Sequence, residues 1–73
     1  MPKNVETYYQ DNQWKNKVQG NKRASSVHST KTEAQKAGRQ QAQSLGTEHL
    51  IKNKDGKIGA RNSYGHDPHP PRG

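Results

Sequence analysis

Val5-Glu6-Thr7-Tyr8-Tyr9-Gln10-Asp11-Asn12-Gln13-Trp14-Lys15-Asn16-Lys17-Val18 sorts itself when it is folded back at Asp11-Asn12. With those two residues as the loop, Tyr9 faces Trp14, Thr7 faces Asn16 and Val5 faces Val18. These pairs share one side of the ribbon because side chains alternate along a strand. The other side holds Gln10 with Gln13, Tyr8 with Lys15, and Glu6 with Lys17. One side therefore gathers an aromatic pair and two valines, and the other an opposite-charge pair. A slip of one residue would scramble both sides, so the pattern specifies its own register. A cross-strand pair such as Tyr9-Trp14 adds roughly 0.2–1 kcal/mol.

A second hairpin is predicted from His49 to Arg61, turning at Asp55-Gly56. A two-residue type I′ loop there pairs Ile51 with Ala60 and Asn53 with Ile58, and puts Ile51, Ile58 and Ala60 together. The opposite side then holds Leu50 with Arg61, Lys52 with Gly59, and Lys54 with Lys57. A three-residue loop with Gly56 at a bulge is the alternative; it shifts the register by one and sets Ile58 beside Lys52.

Between the hairpins, Thr30-Lys31-Thr32-Glu33 has the spacing of a capping box, in which residues at the first and fourth positions satisfy each other's backbone N–H groups. Ala34, Ala37, Gly38, Ala42 and Leu45 follow on one helical stripe, and Gly46 ends the helix. The small residues predict a close approach of helix to sheet, with Lys31, Gln35, Lys36, Arg39, Gln40 and Gln43 turned outward. Gln19 to Ser29 reads as an irregular linker. These elements predict an α+β fold: a single small ββαββ domain of two antiparallel hairpins, with one helix packed on one sheet face. It occupies residues 1–64, followed by a Pro/Gly-rich tail over 65–73, where Pro68, Pro70 and Pro71 favour polyproline conformation. Trp14 is expected at the centre of the core and Tyr64 over it.

Composition constrains the rest. At 73 residues the chain is one domain at most. Hydrophobic residues make up only 23%, so the core is small and stability marginal unless a partner helps. There are no cysteines, which excludes disulfides and cysteine-based zinc sites. No apolar run is long enough to span a bilayer, and Met1-Pro2-Lys3-Asn4 opens no signal peptide. A cytoplasmic protein without a membrane association is expected.

Arg23-Ala24-Ser25-Ser26-Val27-His28, the Thr30-x-x-Glu33-Ala34 helix start, Asp55-Gly56-Lys57-Ile58 and Ser63-Tyr64-Gly65-x-Asp67-Pro68 recur in this order and spacing in a known group. From about Trp14 onward the chain resembles the small bacterial proteins of domain-of-unknown-function family 2188. The resemblance implies a compact bacterial domain of hairpin, helix and hairpin, and no particular activity.

The net charge of +7 directs attention to acidic partners. In the registers above, Tyr8, Lys15, Lys17, Lys52, Lys54, Lys57 and Arg61 point away from the helix. Lysine and arginine neutralise phosphates with release of counterions, and an exposed tyrosine can stack on a base. The expected function is that of a non-enzymatic interaction module presenting this basic sheet face to a nucleic acid or an acidic protein. The alternative is self-association or protein binding through exposed strand edges, with a homodimer as one outcome. Catalytic constellations are weak: Ser25, Ser26 and His28 lack a third orienting group. His66-Asp67-Pro68-His69 offers metal-ligating side chains, but a proline-rich backbone does not fix their geometry. No cofactor or metal is expected.

Overall fold

A computed structural model describes residues 3–64. In chain order the elements are β1 (Val5–Gln10), β2 (Gln13–Val18), β3 (Ser26–His28), α1 (Lys31–Leu45), β4 (Glu48–Lys52) and β5 (Ile58–Ser63). They form a five-stranded sheet in the order β3-β2-β1-β4-β5, with α1 packed against β1 to β4. The α+β class holds, but the ββαββ description needs correction to βββαββ, with one mixed sheet instead of two separate hairpins.

The first hairpin has the register read from its sequence, from Val5 opposite Val18 to Gln10 opposite Gln13. Asp11 and Asn12 both take positive φ, 54° and 64°, the conformation of a type I′ loop. Asn and Asp tolerate this region better than other residues with a side chain.

Two features were invisible in the hairpin pattern. The predicted linker contains β3, which pairs antiparallel with β2 through Trp14–His28, Lys15–Val27 and Asn16–Ser26. Three residues are too few to show a strand's alternation. The hairpins are joined by parallel pairing of β1 with β4, Val5–His49 to Thr7–Ile51. Asn4 closes the start of this seam: its Oδ1 accepts the Thr47 hydroxyl at 2.5 Å and the Glu48 N–H at 3.2 Å.

In the second hairpin both registers read from the sequence occur, one at each end. Ile51 faces Ala60 and Leu50 faces Arg61, as the two-residue loop requires. Nearer the turn Lys52 faces Ile58 and Asn53 N–H bonds Lys57 O, as the three-residue loop requires. A bulge at Gly59 joins the two registers. Asp55 Oδ1 accepts the Lys57 N–H at 2.9 Å, and Gly56 alone in this loop takes positive φ, 89°. This local bond to Asp55 favours the longer loop over type I′. Ile58 is thereby moved to the same side as Lys52, away from Ile51 and the helix. It is 48% exposed.

The helix is capped by Thr30 and Gly46 as its sequence indicates, but of the reciprocal capping box only the Thr30 half forms. Thr30 Oγ1 accepts the Glu33 N–H at 3.2 Å. Gly46, at φ 68°, donates to Gln43 O while Thr47 donates to Ala42 O, a Schellman closure. Ala34, Gly38 and Ala42 are buried, but Leu45 is 42% exposed in the final turn, against the expected stripe.

Trp14 is buried beside Tyr9, ring centroids 5.1 Å apart, under the Lys31 ammonium. It lies at the turn end of the sheet and not at the centre of the core. The largest fully buried side chains are His49, Val5, Asn16 and Thr7, three of them polar. Tyr64, expected over Trp14, lies near His49 and Ile51, its N–H bonded to Thr47 O. The His66–His69 cluster and the polyproline segment lie outside the described residues.

Candidate functional site

The helix covers one face of the sheet, and among the described residues the other face is open. Cross-strand pairing puts Val27 with Lys15, Lys15 with Tyr8, and Lys17 with Glu6 on the open face. The parallel seam continues it from Glu6 to Leu50, and β4 to β5 adds Leu50–Arg61 and Lys52–Ile58. Five of the expected site residues, Tyr8, Lys15, Lys17, Lys52 and Arg61, thus share this surface.

Lys54 and Lys57 do not join them. The Lys54 ammonium lies 5.0 Å from the centre of the Tyr9 ring, whose partner Trp14 faces the helix. Lys57 is opposite Asn53, and Asn53 accepts from Lys31 of the helix at 3.4 Å. The longer second loop turns both lysines away from the open face.

Apolar groups that the sequence reading assigned elsewhere or passed over stand among the cations. Val27 and Ile58 are each 48% exposed on the open face. Leu50, paired with Arg61 as expected, also faces this way and is buried. Val27 was hidden within an apparent linker, and Ile58 was displaced by the bulge.

Acidic groups temper the charge. Lys52 Nζ lies 3.4 Å from Glu6, Arg61 Nε 3.8 Å from Glu48, and Lys15 Nζ 3.7 Å from Asp11. Lys17 lies over the Tyr8 ring at 5.7 Å. The Arg61–Glu48 pair is exposed on both sides, where an ion pair contributes roughly 0–1 kcal/mol and opens readily to a competing anion, whereas Glu6, Lys52 and Lys15 are partly buried. Burial pushes the Glu6 carboxyl up, but the Gln19 hydrogen bond and the Lys52 and Lys17 charges outweigh it and hold the carboxyl below its ordinary range. Burial and the Glu6 charge raise the Tyr8 phenol.

Beneath the helix lies a second polar cluster, and its hydrogen bonds can be followed in order. Asn16 Nδ2 donates to Ala34 O at 2.9 Å and to Ser26 Oγ at 3.1 Å. This orients the amide and leaves Asn16 Oδ1 to accept the Thr7 hydroxyl at 2.5 Å. A hydroxyl has one hydrogen. The His49 Nε2 contact with Thr7 Oγ1, 2.6 Å, must therefore have His49 as donor. The neutral ring then carries its proton on Nε2, and buried Nδ1 has no partner among the described residues. Burial, aided by the Arg39 charge, lowers the His49 pKa. Ser26 Oγ also lies 3.0 Å from His28 Nε2, and Ser25 donates to Asn16 O at 3.2 Å. These serines tie the β3 segment to β2, and among the described residues no carboxylate forms an ion pair with His28.

Residues 5–64 match the model of a family described as an uncharacterized protein conserved in bacteria, DUF2188. The chain belongs to this family. The match covers both hairpins, β3 and the helix, so the open face and the buried polar cluster both lie within the family's domain. No curated protein matches, and no solved structure does. Among the described residues, no helix is long and apolar enough to cross a membrane, and no group of three or more His, Cys, Asp or Glu could hold a metal ion.

Proposed function

We propose that the domain is a non-enzymatic binding module whose helix-free sheet face takes an extended polyanion, with single-stranded nucleic acid the best fit. One observation carries this reading. Four strands bring Tyr8, Lys15, Lys17, Lys52 and Arg61 to one open face, with Val27 and Ile58 exposed among them. Cations in such an array neutralise phosphates, while Tyr8 and the two aliphatic side chains offer surface to bases. An acidic protein would use the cations but would have less use for the aromatic.

Titration with single-stranded RNA, single-stranded DNA and heparin over a salt series tests this reading. Nucleic acids binding more tightly than heparin at equal charge is the expected result. Heparin binding as well as both would reduce the face to general basicity, and no binding at low salt would remove the reading.

A second reading, self-association, is favoured by β5, a six-residue edge strand whose residues are all exposed. The bulge near its start opposes strand addition there, since bulges blunt edges. Concentration-dependent sedimentation separates the two: a monomer at all concentrations removes this reading and leaves the first untouched.

A further inference from the structure

On the helix side of the sheet, β5 extends past α1, which packs against β1 to β4 only. The step leaves a groove of about 480 Å³. One wall is a single helical stripe containing Lys36 and Arg39, and the base and far wall include His49, Ile51, Asn62 and Tyr64. Its volume lies within the usual range for small-ligand sites, roughly 300–1,000 Å³. Among the described residues, no acidic side chain lines it and neither Lys36 nor Arg39 forms an ion pair. Like charges held beside a concave surface focus potential there and concentrate a counter-ion. Ile51 and Tyr64 add apolar surface, and Asn62 adds an amide.

A second observation points to the same place. His49, 1% exposed, lines the groove and keeps an unpartnered ring nitrogen. Its other nitrogen is committed to Thr7. Protonation would create an Nδ1–H with no acceptor among the described protein groups.

We propose that this groove binds the oxyanion group of a small molecule, a phosphate, sulfonate or carboxylate, between Lys36 and Arg39, with a flat apolar substituent against Ile51 and Tyr64. The site lies across the sheet from the open basic face and does not depend on it. Binding is linked to His49. Arg39 of α1 is the charged group whose field acts on the ring, and Lys36 of the same helix lines the groove beside it; β1 offers Val5 and Thr7, β2 Asn16 and β5 Asn62, none of them charged. An anion beside Arg39 offsets the positive field at the ring and favours its protonated form. Linkage is reciprocal, so the same anion binds more tightly as pH falls toward the His49 midpoint.

Two-dimensional NMR of the full chain tests this with sulfate and benzenesulfonate, anions that do not titrate near neutrality. Both should shift the amides of Thr32, Lys36, Arg39 and Asn62 saturably, benzenesulfonate at several-fold lower concentration. The His49 ring should titrate at higher pH when either anion is present. Lys36→Gln with Arg39→Gln, both exposed positions, should keep the circular dichroism spectrum and lose the saturable shifts. Shifts that persist in that variant, that occur only at open-face residues, or that are absent up to about 50 mM anion, far weaker than the ~1 mM scale of modest small-molecule binding, would overturn the site. Equal affinity for the two anions would overturn the apolar part of it. A His49 midpoint unmoved by saturating anion would overturn the linkage.

Discussion

Gly38 of the helix sits directly over Asn16 of β2: a Cβ at position 38 would lie 2.5 Å from Asn16 Oδ1. It would also lie 2.5 Å from His49 Nε2 and 2.8 Å from Thr7 Oγ1. The missing side chain is therefore what allows the helix to close over the polar cluster, and the cluster occupies the space that a larger core would fill with apolar groups.

Gly38→Ala should destabilise the domain. Alanine gains about 1 kcal/mol in helix propensity over glycine. The added methyl would strike three polar atoms whose positions their mutual hydrogen bonds hold, and overpacking costs about 1–3 kcal/mol. Gly38→Leu should cost more. Chemical denaturation measures the balance, and an alanine variant more stable than the parent would show that the cluster yields easily.

Thr7→Val preserves shape and removes one hydroxyl. It leaves Asn16 Oδ1 without its donor and His49 Nε2–H without its acceptor. Each orphaned buried group costs roughly 1–3 kcal/mol, against a total stability of about 5–15 kcal/mol for an ordinary domain. A fall in melting temperature of about 10 °C or more is expected, since 1 kcal/mol corresponds to roughly 4–8 °C at this size. The His49 ring nitrogens should change their NMR shifts in the same variant. Unchanged nitrogen shifts would contradict the Thr7–His49 hydrogen bond.

Stability should decline in two acid steps. The folded His49 pKa is lowered from 6.5, so below that value the unfolded chain takes up a proton that the folded chain refuses. The stabilisation is complete above pH 6.5 and is lost as pH falls through the folded pKa. Glu6, lowered from 4.5, adds a second loss by the same sign, beginning below that value. Denaturation midpoints between about pH 8 and pH 3 follow both steps. In His49→Asn the slope between roughly pH 7 and pH 5 should flatten, whatever the variant's absolute stability. A slope equal to the parent's would assign the step to another group.

The parts of the fold legible in the sequence are those governed by neighbours in the chain. Asp11-Asn12 set the first register, and Thr30 and Gly46 bounded the helix, because turns and caps are local chemistry. Gly38 announced a close approach, yet what it approached was hidden. Thr7 and Asn16 were visible as a facing pair, but His49 meets them only through parallel pairing of β1 with β4, a contact with no local signal. The same non-local pairing and the short β3 made two hairpins into one sheet. The second hairpin was ambiguous because Asp55-Gly56 suits two loop lengths; the bulge at Gly59 accommodates both. That bulge decided the membership of the open face, turning Lys57 away from it and Ile58 onto it.

The most direct test of the binding face is a comparison of two triple variants in a salt-dependent titration with single-stranded RNA. Lys15, Lys17 and Lys52 replaced by Gln remove three charges from the open face; Lys22, Lys54 and Lys57 replaced by Gln remove three from elsewhere. Each lost phosphate contact lowers the slope of log affinity against log salt by about 0.7 for a single strand. The open-face variant should lose that slope by about 2 and bind far more weakly, while the second variant keeps most of both. Equal losses in the two, with both proteins folded, would contradict a site on the open sheet face.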